Sequence, residues 1–169
     1  MDILLIILRI VHIFAAIYWI GAAFFMWFIF EPTMNRASNA EKAVLGRVPE
    51  RVSATIAPAA MLTVLAGFIL FFRYWANSPD AWNTNAVRIF GIGGLAGIGA
   101  IIVGAAFIGR LSGQLATLIQ QASAAGGPPS AELRSRIEKM EESLQMWSRV
   151  DIVLAAIAVF CMAIARHVG

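Results

Sequence analysis

Apolar residues run along the chain in four stretches of membrane-crossing length, at about 10–30, 53–72, 89–109 and 150–165, separated by polar segments. In the first, Ile10 to Phe30 are 21 residues with no formal charge if His12 is neutral, which at the helical rise spans about 30 Å of hydrocarbon. Glu31-Pro32 is expected to end this span, because the residue before a proline is pushed out of the helical region. Ser38 with Glu41 three residues on has the form of a capping box in the connection that follows. Pro58 falls near the start of the second span, where a missing N–H is best tolerated, and Asn, Ser, Pro and Asp between 76 and 85 predict a turn.

Beyond the third span the pattern stays helical. Leu111, Leu115, Leu118 and Ala122 step by 4, 3 and 4. After a Gly-Gly-Pro-Pro break at 126–129, Leu133, Ile137, Met140, Leu144 and Trp147 step by 4, 3, 4 and 3. This heptad spacing on two arms predicts an antiparallel helical hairpin continuing the third and fourth spans into water, with Ser130 as N-cap of the second arm. The third span is rich in glycine, and Gly93-xxx-Gly97 allows close approach of another helix or of a flat ligand, helix packing being the simpler use. The expected fold is an all-α, integral membrane four-helix bundle, one domain over 1–169.

Composition agrees. With 60% hydrophobic and 14% charged residues and a mean hydropathy of +0.77, the chain has too little polar surface for a water-soluble domain. The net charge of +3 gives no reason to expect nucleic acid, and the only cysteine, Cys161, excludes an intrachain disulfide or a thiolate cage. A basic n-region before the first apolar run is missing, so a spanning helix is expected there in place of a cleavable signal. Arg36, Lys42, Arg47, Arg51, Arg110, Arg134, Arg136, Lys139 and Arg149 fall on the hairpin side, against Arg9, Arg73, Arg88 and Arg166 on the other. The excess predicts a cytoplasmic hairpin with both termini outside, as in a bacterial inner membrane.

Candidate chemistry centres on His12. It follows Arg9 by three residues, so the two share a helix face that Ala16, Trp19 and Ala23 continue. Histidine at membrane depth marks either a site or a structural hydrogen bond. The second histidine, His167, is at the same end of the bundle, at comparable depth on this reading, with Cys161 and Met162 below it; it can equally be a solvated terminus. Imidazole suits haem iron, copper or zinc, and the thiol and thioether would favour Cu(I), making His12, His167, Met162 and Cys161 the candidate metal ligands. The aromatics Phe14, Tyr18, Trp19, Phe24, Phe25, Trp27, Phe28 and Phe30 can wall a porphyrin or quinone, or face lipid as an interfacial anchor. Asp151 and Glu31 are expected near the hairpin-side boundary, each able to pair with Arg149 or Arg51. No nucleophile with its base, acid–base pair or phosphate loop is visible.

The segment Leu8 to Gly21, LRIVHIFAAIYWIG, resembles the opening helix of the CopD-like membrane proteins: a basic residue, then His, then Trp followed closely by Gly. That superfamily includes copper-resistance membrane domains, the HemJ type of protoporphyrinogen oxidase and the membrane domain of membrane-bound urate oxidase. The resemblance implies a haem- or metal-binding role for His12, with Arg9, Trp19 and Gly21 as its motif neighbours. HemJ-type enzymes carry a functional lysine in a later helix, whereas Lys42 and Lys139 both lie outside the spans here, which argues against that chemistry. The leading expectation is a b-type haem protein of membrane redox chemistry, with His12 as axial ligand, His167 or a second copy's histidine opposite, and Arg9 on a propionate. The alternatives are a cofactor-free accessory or assembly subunit of a larger membrane complex, and CopD-like copper handling. Lipid and a homodimer are the expected partners.

Overall fold

The computed structural model describes residues 2–38, 41, 44–45, 48–78, 80, 83–124 and 130–168. Lys42, Arg47, the 126–129 break and residues 79, 81 and 82 of the 76–85 turn lie outside them. Four long helices account for nearly all the described residues, and no strand occurs among them. α1 is the continuous helical stretch Ile3–Arg36, α2 is Val48–Asn77, α3 is Asn85–Ala124 and α4 is Ala131–Ile164, followed by a 3-10 turn, Ala165–His167. Each contains a stretch long and apolar enough to cross a membrane. The chain is thus an all-α integral membrane bundle, as its pattern predicts.

Local chemistry sets the ends. The Asp2 carboxylate accepts from Leu4 N–H at 3.1 Å to start α1. Thr84 Oγ1 accepts from Val87 N–H to start α3, and Ser130 Oγ accepts from Leu133 N–H at 3.2 Å to start α4. The expected capping box forms, with Ser38 N–H and Oγ both donating to Glu41 Oε2 at 2.7 Å. Those two bonds hold the Glu41 carboxyl below its ordinary range.

The proline expectations need correcting. Pro32 does not end α1, which runs on to Arg36. A π turn, Met26–Phe30, precedes it and widens the helix where the proline ring would otherwise meet a carbonyl. Thr33 Oγ1 donates to Ile29 O at 2.6 Å, satisfying a carbonyl in the loosened turn. Pro58 likewise lies inside α2, because that helix begins ahead of the apolar stretch, at Val48.

The helices pair antiparallel as two hairpins, α1 with α2 and α3 with α4. Asp2 meets Arg73, His12 meets Thr63 and Tyr18 meets Thr55 along the first pair. Gly93 meets Cys161, Gly99 meets Leu154 and Phe107 stacks on Trp147, ring centroids 3.9 Å apart, along the second. The buried positions are mostly small: Ala59, Ala60, Ala66, Ala96, Ala100, Ala155, Ala158 and Ala165. Small residues let backbones approach until dispersion forces hold them, the mode expected where lipid removes a hydrophobic drive between helices. Trp19 is the large exception. It packs on Ala59, Ala60 and Ala100, with Leu154 against the cluster, and joins the two hairpins. Phe14, Phe28, Leu95 and Phe160 are exposed, as lipid-facing residues should be.

On the hairpin arms, Leu111, Leu115, Leu118, Ala122, Leu133, Ile137, Met140, Leu144 and Trp147 are all half-buried, as their spacing predicts. Glu132 and Arg136 add an exposed ion pair at 2.9 Å. The Asp2–Arg73 pair, at 2.8 Å, is also exposed and should contribute no more than about 1 kcal/mol. Asp2 additionally caps α1, and losing a cap costs about 1 kcal/mol more. Asp2→Ala is therefore expected to lower the unfolding temperature in detergent more than Arg73→Ala. Equal losses would show that the cap contributes nothing.

Candidate functional site

The face assigned to His12 turns inward. His12, Ala16 and Ala23 are half-buried and Trp19 is buried, whereas Arg9 is exposed and makes no hydrogen bond or ion pair among the described residues. His12 Nδ1 lies 2.7 Å from the carbonyl oxygen of Thr63. A carbonyl can only accept, so Nδ1 carries the proton in this contact and the lone pair of the neutral ring is on Nε2. Nε2 has no hydrogen-bond partner among the described residues.

Two residues of α2 make this seat. Thr63 is buried at 6% exposure, and its hydroxyl donates back to Ala59 O at 2.8 Å, which leaves no polar side-chain group to compete for the ring. One turn further, Gly67 supplies the space: a Cβ there would lie 2.7 Å from His12 Cε1 and 2.9 Å from Nδ1. The Cε1–Nδ1 side of the imidazole thus lies against bare backbone, tied at Nδ1.

His12 lies opposite Thr63 of α2, within the apolar stretch Arg51–Tyr74. His12 is seven residues from the Trp19 layer, about 10 Å, whereas His167 is thirteen residues from Leu154, which packs on that layer, about 20 Å. The two histidines lie toward the same end but roughly 10 Å apart in depth. His167 is exposed.

The other candidate ligands belong to the second hairpin. Cys161 is buried, and its Cβ would be 2.9 Å from a Cβ at Gly93, with Met162 Cε at 3.4 Å. Both therefore serve the α3–α4 contact, while His12 serves α1–α2. Among the described residues no group of three or more His, Cys, Asp or Glu is placed to hold a metal ion. Trp19 is spent on the helix junction. Two open clefts, of about 430 Å³ beside Phe28 and Pro32 and about 530 Å³ between the hairpin arms, lie away from His12.

Near the hairpin, Glu31 has the charge of Arg149 nearby, as foreseen, and its carboxylate accepts a hydrogen bond from Gln145, which was not foreseen. Arg149 also sits over the Trp27 ring, 6.0 Å from its centroid. Asp151 pairs with neither Arg149 nor Arg51, and its Oδ1 is buried without a hydrogen-bond partner among the described residues.

No family model matches the chain, and neither a curated protein nor a solved structure does.

Thr63, Gly67 and the isolation of Asp151 escape sequence reasoning. A threonine and a glycine one turn apart in the second half of the apolar stretch 53–72 are the signal that could have marked the seat.

Proposed function

We propose that this protein is a small b-type haem protein of the membrane, with His12 Nε2 as an axial ligand, as in the CopD-like proteins its first helix resembles. The observation that carries the reading is the Nδ1–H bond to the Thr63 carbonyl. That bond fixes the tautomer and orients the ring, which is how ligating histidines are commonly held. A bound haem would supply one-electron transfer; the chain supplies an oriented ligand, an apolar surround and, from exposed Arg9 one turn away, a cation for a propionate.

Each chain offers one histidine at this depth, and the two clefts lie elsewhere. A porphyrin would therefore seat on an outer face, where a second copy would supply the sixth ligand through its own His12 by two-fold symmetry. The charge asymmetry favours both termini outside and a cytoplasmic hairpin in a bacterial inner membrane.

The test is a dithionite-reduced minus oxidised spectrum of the protein purified in mild detergent from haem-sufficient cells. A Soret shift with a sharp α band is expected, absent in His12→Ala and retained in His167→Ala. A flat spectrum at full protein concentration sinks the reading, and bound copper without a Soret band would replace it with metal handling.

A further inference from the structure

Asp151 is the one intramembrane carboxylate that nothing described so far employs. It lies three residues from Leu154, about 5 Å from the Trp19 layer, and so inside the bundle and not at its boundary. One turn on the hairpin side, Trp147 stacks on Phe107 and closes that direction. Across from it is Gly104 of α3, where even a Cβ would stand 4.0 Å from Oδ1, within the π turn Val103–Ile108. The carboxyl group thus lies against the widened turn of α3.

No cation reaches it. On α3 the turn Val103–Ile108 holds no titratable residue, and the next one, Arg110, is exposed. On α4, Arg149 is engaged with Trp27 and Glu31. On α1, Glu31 is occupied by Gln145 and Arg149, and His12 by Thr63, while α2 has no titratable residue between Arg51 and Arg73. An ionised carboxylate with a buried, unbonded oxygen in apolar surroundings is strongly disfavoured. A metal cation would need several oxygen ligands, and among the described residues Asp151 belongs to no group of three or more His, Cys, Asp or Glu that could hold one. A proton needs only one.

We propose that Asp151 is a proton-binding site within the membrane, its carboxyl taking up a proton where no cation or hydrogen-bond donor reaches its buried oxygen. This stands independently of whether His12 holds a haem.

The experiment is infrared spectroscopy of the full chain in liposomes at neutral pH, with the aspartates labelled by ¹³C at the carboxyl. Asp2, Asp80 and Asp151 are the only aspartates, and Asp151 alone lies within a span. A protonated-carboxyl C=O band that shifts with the label, persists in sodium-containing buffer and vanishes in Asp151→Asn is the expected result. The isotope shift is read on the unaltered protein, so it stands even if that variant folds poorly. Only carboxylate bands at neutral pH would overturn the proposal, and so would a band abolished by sodium at constant pH, which would make the site a cation site.

Discussion

Gly67→Ala is expected to destabilise the native protein and to stabilise a variant that lacks His12. The added methyl would stand 2.7 Å from Cε1 and 2.9 Å from Nδ1, closer than real contacts allow, so the ring must leave its seat. Leaving breaks the 2.7 Å bond to Thr63 O, a loss of about 0.5–1.5 kcal/mol, and strands a polar ring in apolar surroundings for roughly 1–3 kcal/mol more. Against this stands a gain of at most about 1 kcal/mol from replacing glycine inside a helix. The balance is a net loss of about 1–3 kcal/mol while His12 is present. In a His12→Ala background both penalties vanish and only the gain remains, so the sign reverses. Thermal unfolding in detergent of the four proteins of this cycle measures it. A Gly67→Ala protein more stable than the parent, with His12 intact, would show that the ring does not occupy this seat.

What could be read from the sequence was whatever depends on residues three, four or seven apart on one helix. The Ser38–Glu41 box, the Ser130 cap and the half-buried heptad positions from Leu111 to Trp147 are all local, and all are present. The Gly93–Gly97 spacing announced a close helix neighbour, and Cys161 and Ala158 of α4 are that neighbour. What could not be read depends on how one helix is rotated and staggered against another. His12 was visible as a candidate, but its partners Thr63 and Gly67 follow from an α1–α2 register that also brings Asp2 to Arg73, some 50 to 70 positions apart in the chain. The face that Arg9 and His12 share is buried only in part. Three residues span 300° on a helix, so a face broad enough to hold both need not be buried throughout, and Arg9 stays outside. Pro32 and Pro58 misled because tertiary packing and a π turn carry a helix through residues that would stop an isolated one.

Asp151 shows the same limit for charge. Its neighbour Arg149 made a boundary ion pair plausible, yet two residues on a helix are 200° apart, and the guanidinium turns to Trp27 of α1 while the carboxylate turns to Gly104 of α3. Both hairpins thus place one ionisable residue against a glycine of the facing helix: His12 on Gly67 and Asp151 by Gly104. The first is tied by a hydrogen bond and the second is not, which is why one is read as an oriented ligand and the other as a place for a proton.

Gly93→Leu should have the largest structural effect of any single change considered. A Cβ at this position meets Cys161 Cβ at 2.9 Å and the Ala158 carbonyl oxygen at 3.3 Å, with Met162 Cε at 3.4 Å. Only the methionine methyl can swing away. The other two are fixed to the backbone of α4, so the helices must separate and forfeit the contacts at Gly97, Ala100 and Ala158 that their closeness permits. Overpacking of this kind reaches about 3 kcal/mol, enough to exceed the roughly 1 kcal/mol helix gain several-fold. Gly94 is the control: it is one residue along the same helix, with nothing within 4 Å of its Cβ position. Gly94→Leu adds apolar surface to an open face and should leave stability unchanged or raised. Thermal unfolding with detergent size-exclusion chromatography would compare the two. If both leucines are tolerated, α3 and α4 do not pack through Gly93; if both disrupt, the open face at Gly94 is covered by a second copy or a partner, and the dimer expected for His12 gains a location.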